Sequence, residues 1–197
     1  MSGPRVVGID LSLTSTGLAD NRGRVERIRT VAIVNNVPKI LRRMDRILTS
    51  ITTFVDGREE DERGNWLAWN LPALVVVEGP SFASPGQQQH TRAGLWWVVV
   101  AGINGGPIVN DPPIPILVVP PATRAMYATG RGNASKDEVL AAAIKRYPSF
   151  DITGNDVADA VVLAAIGARM LGHPIDDLPK THLRALDKLT LPEGTTP

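Results

Sequence analysis

"RVVGIDLSLTSTGLADNRGRVERIRTVAIV" (residues 5–34) holds three extended runs separated by turn signals, and its reading decides the fold. Arg5 to Ser12 is an apolar run suited to a buried strand. Gly17 and the small hydroxyl residues of "LTSTGLAD" suit a tight connection into a second strand. "NRG" (Asn21 to Gly23) is a turn and Val25 to Val34 a third strand, which predicts a three-stranded antiparallel meander.

Downstream, Ile40, Leu41, Met44, Ile47, Leu48, Ile51, Phe54 and Val55 repeat at three-four spacing, the mark of a helix with one buried face. "LPALVVVEG" (Leu71 to Gly79) is short and β-branched, as buried parallel strands are. A polar loop leads into a helix with two tryptophans, expected from about Gln88 to Ile103, and "IPILVVP" (Ile114 to Pro120) gives another buried strand. "PATRAMYATG" reads as a helical turn, and "SKDEVLAAAIKRYP" as a helix with a capping box of Ser135 and Glu138. "NDVADAVVLAAIGARML" (Asn155 to Leu171) is a helix apolar almost all round. This order predicts an α/β fold, a mixed five-stranded sheet of three antiparallel strands plus parallel strands, flanked by helices. One domain over residues 1–172 is expected, then a proline-punctuated tail, 173–197, with one short helix from Thr181 to Leu189.

Composition narrows the function. With 43% hydrophobic and 21% charged residues the chain is ordinary for a globular protein, and its longest apolar runs, such as "LWWVVVAGI" (Leu95 to Ile103), are too short to span a bilayer. "MSGPRVVGID" shows no signal-peptide pattern, so a cytoplasmic protein is expected. The absence of cysteine excludes disulfides and thiolate sites, leaving oxygen and imidazole ligands and favouring a hard metal. A net charge of +1 conceals separated patches: Arg22, Arg24, Arg27, Arg29, Lys39, Arg42, Arg43 and Arg46 make the first quarter basic, while "DGREEDERGN" (Asp56 to Asn65) is acidic. His90, His173 and His182 fit no metal-binding spacing.

Four acids stand out. Asp156 and Asp159 lie three residues apart on one helix face, where capping explains either alone but their mutual repulsion calls for solvent, a proton or a cation. Asp10 lies among apolar residues and Glu78 ends an uncharged strand, at positions that α/β sheets aim toward a ligand crevice. Together the four can form an oxygen-only cage for two divalent cations, the arrangement that supports two-metal phosphodiester hydrolysis. Lys136 opens its helix after Gly130, Gly132 and Ser135, where backbone N–H groups and an ammonium can receive a phosphate, with Arg124 and Arg131 nearby in sequence.

"GIDLSLTSTG", the glutamate of "VVVEGPSF", "PPATRAMYATGRGNASKDEVL" and "NDVADAVVLAA" resemble, in order from about residue 5 to residue 170, the motifs of RuvC-type Holliday-junction resolvases, particularly phage-encoded relatives, within the RNase H-like superfamily. The resemblance implies an RNase H-like fold and a crossover junction endodeoxyribonuclease that cuts four-way DNA by paired nicks, leaving 5′-phosphate and 3′-hydroxyl ends. It implies that Asp10, Glu78, Asp156 and Asp159 bind two Mg²⁺ ions, or Mn²⁺, with Asp10 the candidate for the shared ligand. Lys136 matches a lysine near the scissile phosphate, and Phe82 stands near the position of an aromatic wedge. Arg124 stands where relatives often carry lysine. The family acts as a homodimer, for which the surplus hydrophobicity of "GLWWVVVAGI" is a candidate surface, a helix central to the monomer core being the other reading. A phage gene product working on DNA in a bacterial cell is the implied setting. The rivals are an actin-like or sugar-kinase ATPase fragment, a catalytically silent junction-binding protein, and a nuclease for flaps, other branched DNA or RNA–DNA hybrids. The ATPase would need a second similar domain and more glycine-rich phosphate loops.

Overall fold

In a computed structural model of the chain, residues 3–33, 36–57, 70–80, 89–105 and 113–195 are described. Strands β1 (Val6–Asp10), β2 (Ser15–Asp20) and β3 (Val25–Arg29) form the predicted meander. Helix α1 (Val37–Asp56), β4 (Leu74–Glu78), α2 (Gln89–Gly105), β5 (Ile116–Val119), α3 (Pro121–Thr129), α4 (Lys136–Arg146) and α5 (Asn155–Met170) follow. The sheet order is β3-β2-β1-β4-β5, antiparallel across β1–β2–β3 and parallel across β1–β4–β5, so the expected mixed five-stranded sheet is present.

The third strand is shorter than predicted. Ser15, the first residue of β2, pairs with Arg29, so past Thr30 no neighbouring strand remains to bond the backbone, and Val31 is exposed.

Both faces of the central strands are covered, which explains their unbroken apolar sequence. Val6, Leu74, Val76, Leu117 and Val119 face a core shared with α3, α4 and α5. Val7, Ile9, Val75 and Val77 face one shared with α1 and α2, built on Met44, Ile47, Ile51 and Phe54 and on Leu95, Val99 and Ile103. Helix α1 starts at Asn36, whose side chain accepts from the Lys39 backbone N–H, and stops at Gly57, which takes a left-handed φ of 60°. The capping box of Ser135 and Glu138 forms at the start of α4 as read from sequence.

Helix α5 is buried from Val157 through Ala168 and lies directly on β1 and β2. Glycine permits this approach: a Cβ on Gly8 would collide with the Ala160 carbonyl oxygen, and one on Gly17 with that of Asp156. The sheet thereby fixes the height and tilt of the helix that carries two of the four acids.

Beyond Gly172 the chain folds back onto the α3–α5 side. A short helix α6 (Lys180–Leu183) and a 3₁₀ turn (Arg184–Leu186) occupy part of the span expected to be helical. Ile175, Leu178, Leu183, Leu186 and Leu189 pack on the core there. The Asp176 carboxylate accepts from the Tyr127 hydroxyl at 3.0 Å, from Arg169 at 2.6 Å and from the Tyr147 hydroxyl, tying this segment to three helices. Among the described residues no helix is long and apolar enough to cross a membrane.

Candidate active site

Parallel pairing sets the site. Ile9 of β1 is in register with Val77 of β4, so the next residues, Asp10 and Glu78, emerge side by side at the carboxyl edge of the sheet. Helix α5 brings Asp159 over that edge from above, and carboxylate oxygens of Asp10, Glu78 and Asp159 lie within 4.8 Å of one another.

Asp156, one turn earlier, lines the same cleft but is engaged elsewhere. Its Oδ2 accepts from Ser15 Oγ at 2.5 Å and from Arg27 Nη2 at 2.8 Å. Neither aspartate caps α5, because Gly154 holds the N-cap position and has no side chain to offer.

Arg124, 6% exposed, reaches from α3 into the acids. Its Nε stands 2.8 Å from Glu78 Oε2, and its Nη1 donates to Asp159 Oδ1. The Glu78 contact is an ion pair without hydrogen-bond alignment, which leaves that buried oxygen short of a donor. The guanidinium serves as an internal counter-ion for two carboxylates and faces them rather than solvent.

The electrostatics follow from this crowding. Burial, then repulsion from Glu78, pushes Asp10 up to about 7; Arg124 opposes this, Asp156 adds to it, and Lys136 also opposes it. Burial raises Glu78 as well, against the pull of Arg124 and Lys136. The donors are all oxygen, crowded, and short of positive charge, so they fit a hard divalent cation. The residues that would hold it are Asp10, Glu78 and Asp159, with Asp156 as the fourth acid of the cleft.

A cavity of about 320 Å³ opens above the acids, lined by Asp10, Ser12, Glu78, Trp96, Lys136 and Asp156 among others. Lys136 thus stands on the cleft wall. Arg131 lies outside it, exposed and paired with Glu138. Phe82 lies outside the described residues.

Three contributors are not evident from the sequence. Ser15 and Arg27 anchor Asp156 from 141 and 129 residues away, and no local pattern announces such a pairing. Trp96 donates its indole N–H to the Glu78 carbonyl oxygen at 3.1 Å, bracing the end of β4, a polar role that the apolar run around it does not announce.

No family model matches the sequence, and no curated protein matches it. Solved structures do. RuvC of Thermus thermophilus in complex with a Holliday-junction substrate superposes with a TM-score of 0.57 at 17% identity, over 96% of this chain and 99% of that one. A second Thermus thermophilus RuvC structure gives 0.55 at 20% identity, over 86% and 97%. The resemblance to RuvC read from the sequence is borne out at the level of the fold, which is the RNase H-like fold of RuvC.

Proposed function

We propose that this chain, built on the RuvC fold, is a metal-dependent, structure-selective endonuclease that resolves four-way DNA junctions by paired nicks. The observation that carries the reading is the convergence of Asp10, Glu78 and Asp159 at the sheet's carboxyl edge, under a cleft that Asp156 and Lys136 also line. The similar Thermus thermophilus protein was seen with a Holliday-junction substrate, which favours branched DNA as the ligand here.

Each residue has a task in this reading. Asp10 stands within the electrostatic reach of both Glu78 and Asp156, as suits a ligand shared between two sites. Glu78, Asp159 and Asp156 complete the donor set, and bound Mg²⁺ or Mn²⁺ would supply activation of water and relief of charge at the phosphorus centre. Lys136 presents its ammonium to a phosphodiester entering the cleft and orients it against the acids. Arg124 balances the acids' charge from below. Hydrolysis that breaks the bond to the 3′ oxygen leaves 5′-phosphate and 3′-hydroxyl ends. Paired cutting requires two such sites, and exposed Trp97 and Val98 on α2 offer an apolar face for a homodimer. The setting we infer is bacterial cytoplasm, with the gene carried by a phage.

The deciding experiment incubates the protein with a labelled four-way junction, linear duplex, flap and RNA–DNA hybrid, each with Mg²⁺ or EDTA, beside Asp10→Asn. Metal-dependent, symmetric nicks in the junction that vanish in the variant are expected. Preferential cutting of flaps or hybrids would keep the chemistry and change the substrate; a junction bound but left whole with Mg²⁺ and Mn²⁺ would refute catalysis.

A further inference from the structure

A second basic surface lies outside the cleft. Because β3 runs parallel to β1 and β4, it ends at the same edge of the sheet as Asp10 and Glu78. The chain then enters α1, and a cavity of about 300 Å³ lies between the two, lined by Thr30, Val31, Ile33 and the cations Lys39, Arg42, Arg43 and Arg46. No acid lines it among the described residues.

The four cations divide by role. Arg43 is buried: its Nε donates to Thr30 Oγ1 at 2.8 Å and its Nη2 to the Leu13 carbonyl oxygen, an oxygen that also accepts from Thr30 Oγ1. Leu13 and Ser12 line the cleft over the acids, so Arg43 ties the basic cavity to the lining of that cleft. Lys39, Arg42 and Arg46 are exposed and share one helix face at i, i+3 and i+7, without an ion-pair partner among the described residues. Along the axis they span about 10 Å, close to the length of three nucleotides of one strand. The end of β3 stands two strand spacings, roughly 10 Å, from that of β1.

We propose that this surface holds the sugar–phosphate backbone of a DNA arm leaving the cleft, as a phosphate-binding strip separate from Lys136. The inference rests on the functional reading above and adds a contact surface to it. An acidic protein would satisfy the same charges, but continuity with the cleft along one sheet edge favours the polyanion proposed for that cleft. Unpartnered cations on a helix face contribute affinity and orientation without reading bases, because phosphates are the same at every step.

The test measures four-way junction binding by fluorescence anisotropy in EDTA over a salt series, for wild type and for Lys39→Gln/Arg42→Gln/Arg46→Gln. Loss of about three phosphate contacts is expected to flatten the plot of log affinity against log salt by about 2 to 3. Near physiological salt the affinity should fall about tenfold or more, with the melting temperature unchanged. Arg42→Lys/Arg46→Lys should keep the wild-type slope, since a phosphate accepts either cation as a point charge. A folded triple variant with wild-type slope and affinity would overturn the strip alone and leave it to an acidic protein partner. Wild type that bound no DNA would overturn the functional reading and the strip with it.

Discussion

At the scale of single residues, the site is a place where like charges have been forced together. Asp10 illustrates the cost. Its folded-state value of about 7 lies above the ordinary 3.8, so between those limits the folded protein holds a proton that the unfolded chain has released. Without metal, Asp10's own contribution to stability is therefore fully present below about pH 4 and is lost as the pH rises toward 7. Asp10→Asn cannot ionise and escapes the decline. In EDTA at pH 8 this variant should melt several degrees above wild type, and the gap should narrow at pH 5. Calorimetry at the two pH values checks this; equal melting at pH 8 would mean that Arg124 and Lys136 already compensate the charge in full. The same variant is the one expected to lose cleavage, so stability and activity move in opposite directions at this residue. The four acids were legible in the sequence because a carboxylate at the end of an apolar strand, or paired on a greasy helix, has few structural uses. What was not legible is which partners hold them. Asp156 turns to Ser15 and Arg27, and Arg124 turns inward to the acids, through pairings that only the fold creates.

At the scale of elements, α5 is the part on which the site depends. It rests on β1 and β2 at the closest distance that glycine and alanine allow, and it carries both Asp156 and Asp159. Gly17→Ala places a methyl group against the Asp156 carbonyl oxygen, so the first turn of α5 must lift. The expected result is a loss of about 1–3 kcal/mol of stability together with weakened Mn²⁺ binding, measured by titration calorimetry. Full-strength Mn²⁺ binding in a destabilised Gly17→Ala protein would show that the helix can rise without opening the acids. The meander, both parallel strands and the helices were readable from period and turn chemistry, because each keeps its pattern over several residues. The premature end of β3 was not, since it is decided by where β2 begins rather than by the residues of β3 itself. The α2 segment joined two alternatives: Leu95, Val99 and Ile103 serve the monomer's core, while Trp97 and Val98 remain outside.

At the scale of the whole molecule, two cores share one sheet, and the residues after Gly172 help to close the larger of them. Asp176 is the fastening, with its side chain fully buried and accepting from Tyr127, Tyr147 and Arg169. Asp176→Ala removes the carboxylate that accepts from the Tyr127 and Tyr147 hydroxyls and pairs with Arg169, and should cost about 2–4 kcal/mol. Limited proteolysis is expected to cut the variant just after Gly172 under conditions that leave wild type intact; equal resistance would place the strength of the closure in the leucines instead. Sequence alone marked this region as a tail, because prolines and short apolar runs give no periodic signal. One consequence of the order of elements concerns synthesis. Asp10 and Glu78 leave the ribosome early, but the glycine-floored surface on β1 and β2 waits for α5, whose contacts with them span more than 130 residues. A growing chain therefore carries half of its acids and none of its lid. Under the proposed function cutting waits for the synthesis of α5, so a translation product truncated before Asn155 should leave the DNA around it uncut.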